Sequence, residues 1–504
     1  MPSVGRRELI GIGLIVLVAA AVRLIDLPTR GMWDADQGTD MVVLHALFTE
    51  GRLPLLGPRT SIGEFHHGVL YYYLLAPAAY LSGAHPLAVA GTIAAAGIAA
   101  VAAVWWLARS IGGPVAGLVA AGAMAVSASA IEESTFIWNP NFIALSSAVA
   151  LGAAWRAWTT GRARWWVVAG LGLIVTMHGH VLGAVLLLPL LGLLLVDARR
   201  RVVADRRPVL LAGLAAVGLI AASYMPLLVH ELGSGFSETR AALDFLGGGA
   251  TRGEGAPLPA RLVVVPLRVL SWPLTGLITS QPTAGIVAAA AVVAILAWRI
   301  RSARRSERHA TAWFAATLAW SALALAIGAS SLASVVPGLP NDHYHAFLDP
   351  IVFTVVGLGV AALWRLSVAG RVGAALALAA LLALNVMIWP PRVAPDGGYP
   401  AAELAAARIL ERLDGQRYVL DGLPGIKNAN AYGFPLRRLG GREATPGDPA
   451  ANVLVIACDR LLEPIIGVAC GGPAEDARAA EVGGTAGLLE RFDASSRTVI
   501  SIYR

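Results

Sequence analysis

Apolar runs of 17–22 residues recur along the first 390 positions of this 504-residue chain, and that repetition narrows its possible folds severely. A bilayer core about 30 Å thick needs roughly 20 apolar residues per crossing helix. With 57% hydrophobic and 14% charged residues, the chain reads as a polytopic α-helical membrane protein, not a soluble one with a large core. No A-x-A-like cleavage site follows the first run, residues 9–27, so it is expected to be a retained helix and not a signal peptide.

The formal charge of +7 comes almost wholly from arginine, Lys427 being the only lysine. The arginines cluster in short loops: Arg6-Arg7, Arg109, Arg156 with Arg162 and Arg164, Arg199–Arg201 with Arg206-Arg207, Arg299–Arg308, and Arg365 with Arg371. That pattern marks cytoplasmic loops and not nucleic-acid binding. Spans fit between the clusters at 9–27, 86–108, 114–130, 140–158, 165–177, 181–196, 208–229, 284–300, 311–331, 346–364 and 371–389. The reading is about eleven crossings, starting inside and finishing outside, or about thirteen if 68–82 and 258–280 also cross. Residues 68–82 are short and carry Tyr71, Tyr72, Tyr73 and Tyr80, which predicts an interfacial helix and an aromatic belt. Residues 258–280 contain Arg261, Pro266, Arg268 and Pro273, which predicts a re-entrant or interfacial element.

This threading sends loops 28–85, 131–139, 178–180, 230–283 and 332–345, with the tail after 390, to one outer face. Nine of the ten histidines fall there, among them 66, 67, 178, 180, 230, 343 and 345. So does the segment Trp33-Asp34-Ala35-Asp36-Gln37-Gly38-Thr39-Asp40, whose three carboxylates follow the end of the first span. In so uncharged a chain this cluster predicts a catalytic carboxylate facing outward. Asp34 is expected to cap the helix that follows, since Asp favours helix N-termini. Asp40, four residues after Asp36, shares its helical face and is expected to orient an acceptor or raise its neighbour's pKa.

The first outer loop continues Leu56-Gly57-Pro58 and then Phe65-His66-His67-Gly68-Val69-Leu70-Tyr71-Tyr72-Tyr73, and the second reads Trp138-Asn139-Pro140-Asn141. Together these resemble GT-C-type membrane glycosyltransferases, in the branch of protein O-mannosyltransferases and aminoarabinose transferases of lipid A. The resemblance is most specific over residues 30–145, weaker through His343–Pro350 and absent from the tail. It implies a polyprenyl-phosphate sugar donor (hexosyl or pentosyl), a lipid, glycan or protein hydroxyl as envelope acceptor, and transfer with inversion. It maps the catalytic acidic residue onto Asp36. The chemistry agrees, since inverting transfer needs a base beside the acceptor hydroxyl and cationic or hydrogen-bonding groups at the departing phosphate. Candidates for donor phosphate or substrate binding are Arg59, His66, His67, Asn139, Asn141, His343 and His345.

Two positions depart from relatives. Many carry Asp-Glu where this chain has Asp36-Gln37, and distant oligosaccharyl transferases carry Asp-x-Asp where it has Asn139-Pro140-Asn141. Amides are poor divalent-ion ligands beside carboxylates, so no cofactor and no metal site are expected. Asn139 and Asn141 also read as caps opening the helix at 140. The histidines lack zinc-ligand spacing, and Gly247–Gly249 lacks the context of a nucleotide loop.

Residues 1–390 thus read as the transmembrane catalytic domain and 391–504 as a small extracytoplasmic α/β domain, with a helix at 401–413 and strands at 417–420, 452–457 and 498–503. Cys458 and Cys470, the only cysteines, both fall in that tail, where an oxidising compartment favours a disulfide. The expected location is the plasma (inner) membrane, with a cytoplasmic N-terminus. A lipid-linked glycan polymerase or ligase is the alternative function. A transporter would place paired charges inside its spans and often show repeated halves, whereas these spans are largely uncharged apart from Arg23 and Asp26 near the end of the first, and no clear repeat stands out.

Overall fold

The computed structural model describes residues 4–60, 65–246, 256–333, 344–425, 429–483 and 487–504. Among them, seven helices are long and apolar enough to cross a membrane: Pro86–Gly112, Val181–Arg199, Asp205–Ser223, Pro282–Ser302, Arg305–Gly328, Ala346–Leu366 and Val368–Met387. The other expected spans are also helical, at Arg6–Leu24, Pro114–Val126, Ile143–Thr160 and Arg164–Gly179. Glu8 at the start of Arg6–Leu24 pairs with Arg109 near the end of Pro86–Gly112 at 2.5 Å, so these two helices run antiparallel. Their opposite ends therefore flank the loop that carries the acidic cluster.

Small residues set the centre of the bundle. Helix Asp349–Leu366 is almost wholly enclosed, and a Cβ at Gly357 would meet the carbonyl oxygen of Ala116 at 2.3 Å. Close backbone approach of this kind packs membrane helices where lipid supplies no hydrophobic drive.

Two segments differ from expectation. The span at 114–130 breaks at Ser127, where Pro114–Val126 ends and the short helix Ala128–Glu132 begins. Arg23, fully buried, donates to the carbonyls of Met124, Ala125 and Ala130, satisfying oxygens that the break releases. The span at 208–229 likewise breaks at Tyr224, between Val203–Ser223 and Met225–Ser234. Leu258–Thr275 is one unbroken helix through Pro266 and Pro273, which fits the interfacial alternative and not a re-entrant loop. Arg268 on it is buried and donates to the carbonyl of Leu332 at 2.8 Å. Neighbouring packing satisfies what the prolines remove.

The tail forms helix Gly398–Leu413 and a four-stranded sheet of β1 (Arg417–Leu423), β2 (Ala451–Asp459), β3 (Leu488–Asp493) and β4 (Thr498–Tyr503). The order is β1-β2-β4-β3, with β1 and β2 parallel and the other pairs antiparallel. Strand β3 was not among the expected strands. In the fold Glu490 pairs with Arg408 and Arg412 of helix Gly398–Leu413. Cys458 and Cys470 are joined in a disulfide.

The larger of the tail's two hydrophobic clusters is shared with the first outer loop. Trp33 packs edge-on to Tyr399 with centroids 4.8 Å apart, and lies 5.9 Å from Phe434. Helix Asn430–Arg438 lies against the helix of the first outer loop, Ala35–Thr49, closely enough that a Cβ on Gly38 would fall 2.1 Å from the carbonyl oxygen of Asn430.

Candidate active site

The acidic cluster opens helix Ala35–Thr49. Asp34 is its N-cap and accepts from the backbone N–H of Asp36 at 3.0 Å, while its own N–H donates to Gln37 Oε1 at 2.9 Å. This is a capping box, which satisfies donors the first turn would leave orphaned. The Gln37 amide also donates to the carbonyl of Ile137 at 2.9 Å, tying the second outer loop to the first. Gln37 is therefore a buried strut where relatives carry Glu. Asp36 sits in the first helical turn, exposed, where the helix dipole favours a carboxylate.

Asp40 is buried one turn further on, and each of its oxygens accepts from a tyrosine at 2.8 Å, Oδ2 from Tyr71 and Oδ1 from Tyr72. Burial pushes its carboxyl up to about 7, against the two phenol hydrogen bonds and with a smaller push from Asp36. The aromatic-belt reading thus fails for Tyr71 and Tyr72, which turn inward to hold Asp40. Tyr73 donates to the carbonyl of Pro54, and only Tyr80 is strongly exposed.

The Leu-Gly-Pro segment returns along the residues before the tyrosine helix Leu70–Leu81. Gly57 N–H donates to the carbonyl of His67, His67 N–H to that of Pro58, and Thr60 N–H to that of Phe65. The two strands of this return lie so close that a Cβ on Gly57 would meet the Gly68 carbonyl oxygen at 2.4 Å. A Cβ on Gly68 would meet the His178 ring at 2.0 Å. Both glycines of the motif are thus fixed by space.

These elements enclose a cavity of about 670 Å³ lined by Asp36, Asp40, Arg59, His66, His67 and Asn139, with Tyr72, Tyr344 and His230. Carboxylates from the acidic helix therefore share one cavity with cationic and imidazole groups from the returning loop. His66 is held by Glu238, which accepts from its backbone N–H at 2.7 Å and lies 3.0 Å from Nδ1. Glu238 begins helix Ser237–Leu246, 172 residues away in sequence, and no local pattern pointed to it. Burial, and secondarily the neighbouring His66, holds the His67 imidazole down to about 3, so it is neutral. Its Nδ1 accepts from Val181 N–H at 3.4 Å, which leaves Nε2 as the N–H donor.

Two predicted site residues, Asn141 and His345, lie elsewhere. Asn141 does not line the cavity; its amide donates to the carbonyl of Phe136 at 2.8 Å. Asn139 lines the cavity but spends its amide on the Gly179 carbonyl, and neither asparagine makes a helix-capping bond. His345 is fully buried and does not line the cavity; it lies edge-on to Trp272 and 3.8 Å from Asp349. His343 falls outside the described residues. The pair Glu132-Glu133 also points away: Glu133 accepts from Trp272 Nε1 at 2.6 Å, and burial with the nearby Asp349 raises its carboxyl well above the ordinary range. Among the described residues, the one His/Cys/Asp/Glu group close enough to share an ion is Cys458, Cys470 and Glu475, where the sulfurs are already bonded to each other.

A bundle of apolar helices, a first outer loop folded into an acidic helix over a polar cavity, and a small sheet domain packed on that loop define a GT-C-type fold, that of integral membrane glycosyltransferases. Residues 66–225 match the family model described as dolichyl-phosphate-mannose-protein mannosyltransferase. The whole chain is similar to ArnT from Cupriavidus metallidurans bound to undecaprenyl phosphate, with a TM-score of 0.60 and 15% identity over 97% of each chain. It is also similar to the apo oligosaccharyltransferase of Archaeoglobus fulgidus, with a TM-score of 0.53 and 15% identity over 90% of this chain and 70% of that one. No curated protein matches it in sequence. At these identities the likeness is one of fold.

Proposed function

We propose that the protein is a membrane glycosyltransferase that moves a sugar from a polyprenyl-phosphate donor to an envelope hydroxyl at the extracytoplasmic face, with inversion. The observation that carries this reading is the single cavity bounded by Asp36 on one side and by Arg59, His66 and His67 on the other. Asp36 takes the proton of the acceptor hydroxyl as its oxygen bonds to the anomeric carbon. The bond from that carbon to the phosphate oxygen breaks, and its electron pair leaves with the polyprenyl phosphate. Arg59, His66 and the Nε2–H of His67 hold the negative charge that develops there.

Where metal-dependent relatives carry Asp-x-Asp, this chain has two neutral amides, weaker divalent-ion ligands than carboxylates. We therefore propose that transfer runs without a divalent ion. The undecaprenyl phosphate bound by ArnT supports a lipid-carried donor for this chain too. The arginine distribution supports a cytoplasmic N-terminus in the plasma membrane. The test is transfer by the detergent-solubilised protein from a panel of radiolabelled polyprenyl-phosphate sugars, alongside Asp36→Asn. One sugar transferred by the wild type, with a ~10²–10⁴-fold loss in the variant, is expected. Equal turnover by both proteins removes Asp36 as the base.

A further inference from the structure

A second, larger recess opens between helices of the bundle. It measures about 810 Å³ and runs between helices Arg164–Gly179, Leu187–Arg199 and Val203–Ser223. Its walls are apolar, including Trp166, Leu173, Leu190, Leu210 and Leu214, and Arg206 and Arg207 are its charged lining residues. The same helices carry His178 and Ser223 at their far ends, joined at 3.0 Å on the side of the acidic cavity. The lining runs along Val203–Ser223 from Val203 to Ile220, so its two arginines mark the end away from the acidic cavity.

From this arrangement we infer that the recess binds an anionic phospholipid of the cytoplasmic leaflet, with an acyl chain along the leucines and the phosphate at Arg206 and Arg207. Three features select that occupant. Arg206 and Arg207 line the recess where helix Val203–Ser223 begins, and that end faces the leaflet in which anionic lipids attract basic side chains. Arg206 is fixed there, donating through Nε to the carbonyl of Ala198 at 3.2 Å and through Nη2 to that of Arg201 at 3.4 Å. The adjoining arginines are committed elsewhere: Arg200 and Arg201 both pair with the buried Asp197, and Arg200 stacks on Trp158 at 3.6 Å. Asp205, the neighbouring carboxylate, does not line the recess. A groove greasy along its length with two guanidinium groups at its mouth matches one chain and one phosphate. A zwitterionic headgroup would bring its own cation to the same mouth.

The test is native mass spectrometry of the full chain released from detergent after titration with dioleoyl phosphatidylglycerol or dioleoyl phosphatidylcholine. One phosphatidylglycerol retained per chain, about tenfold in preference to phosphatidylcholine, is expected from two membrane-surface arginines. Arg206→Gln with Arg207→Gln should abolish that preference. Leu191→Trp, which fills the recess from an exposed position on its wall, should lower retention of both lipids. Equal retention of the two lipids by the wild type overturns the inference. So does unchanged preference in the double variant, or displacement of phosphatidylglycerol by an equimolar C55 polyprenyl phosphate. Because the readout is lipid retention, the result stands apart from whether Asp36 is a base.

Discussion

The phenol of Tyr72 donates to Oδ1 of Asp40 across 2.8 Å, inside the wall of the cavity that Asp36 faces. With Tyr71 on the other oxygen, the carboxyl is fixed in orientation and its ionised form is favoured against burial. Asp40 is thereby a titrating group near neutrality within a few residues of the proposed base.

That titration has a signed consequence. The folded-state carboxyl lies near 7 against an ordinary 3.8, so between those values the folded chain keeps a proton that the unfolded chain has released. Stability contributed by this group falls as pH rises through that window. Asp40→Asn should flatten the fall, and Tyr72→Phe should push the carboxyl higher still and cost about 1–3 kcal/mol by orphaning a buried acceptor. Thermal unfolding of the purified protein between pH 4 and about 8 checks both; identical pH profiles for Asp40→Asn and wild type contradict the assignment.

Donor binding should depend on the cavity cations and not on every histidine of this face. Arg59→Ala with His66→Ala is expected to raise the donor KM by about 10–100-fold, in line with loss of charge-assisted hydrogen bonds. His345→Gln should leave that KM near wild type, because its ring is buried against Trp272. A donor titration in the transfer assay separates the two, and an unchanged KM in the double variant removes the phosphate from this wall.

Glu238→Gln tests how His66 is held. The substitution removes the carboxylate that accepts from the His66 backbone and faces its ring. We expect a donor KM raised by roughly 3–10-fold with little change in kcat, since the group orients a binding residue without touching the acceptor. A fall in kcat at constant KM would argue for a different role.

In the tail, the Cys458–Cys470 bridge closes a loop with a sequence separation of 12 and should stabilise the domain by roughly 3 kcal/mol in the chain-entropy model. Mass spectrometry of unreduced protein should find neither thiol alkylated. Alkylation of both would remove the bridge and, with it, the argument for an oxidising compartment around the tail.

Helix positions were largely legible because length and apolarity alone decide them in a bilayer. What the sequence hid were breaks and contacts that depend on distant partners. The break at Ser127 relies on Arg23 from another helix to receive its freed carbonyls, and a lone arginine near a span's end carries no such message. The capping role of Asp34 was readable because its partners lie within three residues. The inward turn of Tyr71 and Tyr72 was not, since a tyrosine run on a short apolar helix suits an interface equally well until Asp40 is seen opposite. Glu238 was invisible for the same reason, its partner being 172 residues earlier. The asparagines misled because Trp138-Asn139-Pro140-Asn141 has the composition of a helix start, whereas both amides reach backbone carbonyls instead.

The seat of Asn430 against the acidic helix also bears on when the protein can first work. Its amide reaches Thr39 Oγ1 at 3.0 Å across 391 residues of chain, and Thr39 lines the cavity. No nascent chain can present that wall finished until the ribosome has passed position 430 and the tail has met the first loop. A chain cut short after helix Val368–Met387 would carry the acidic residues and the cavity histidines His66, His67 and His230 yet leave Trp33 and Gly38 bare.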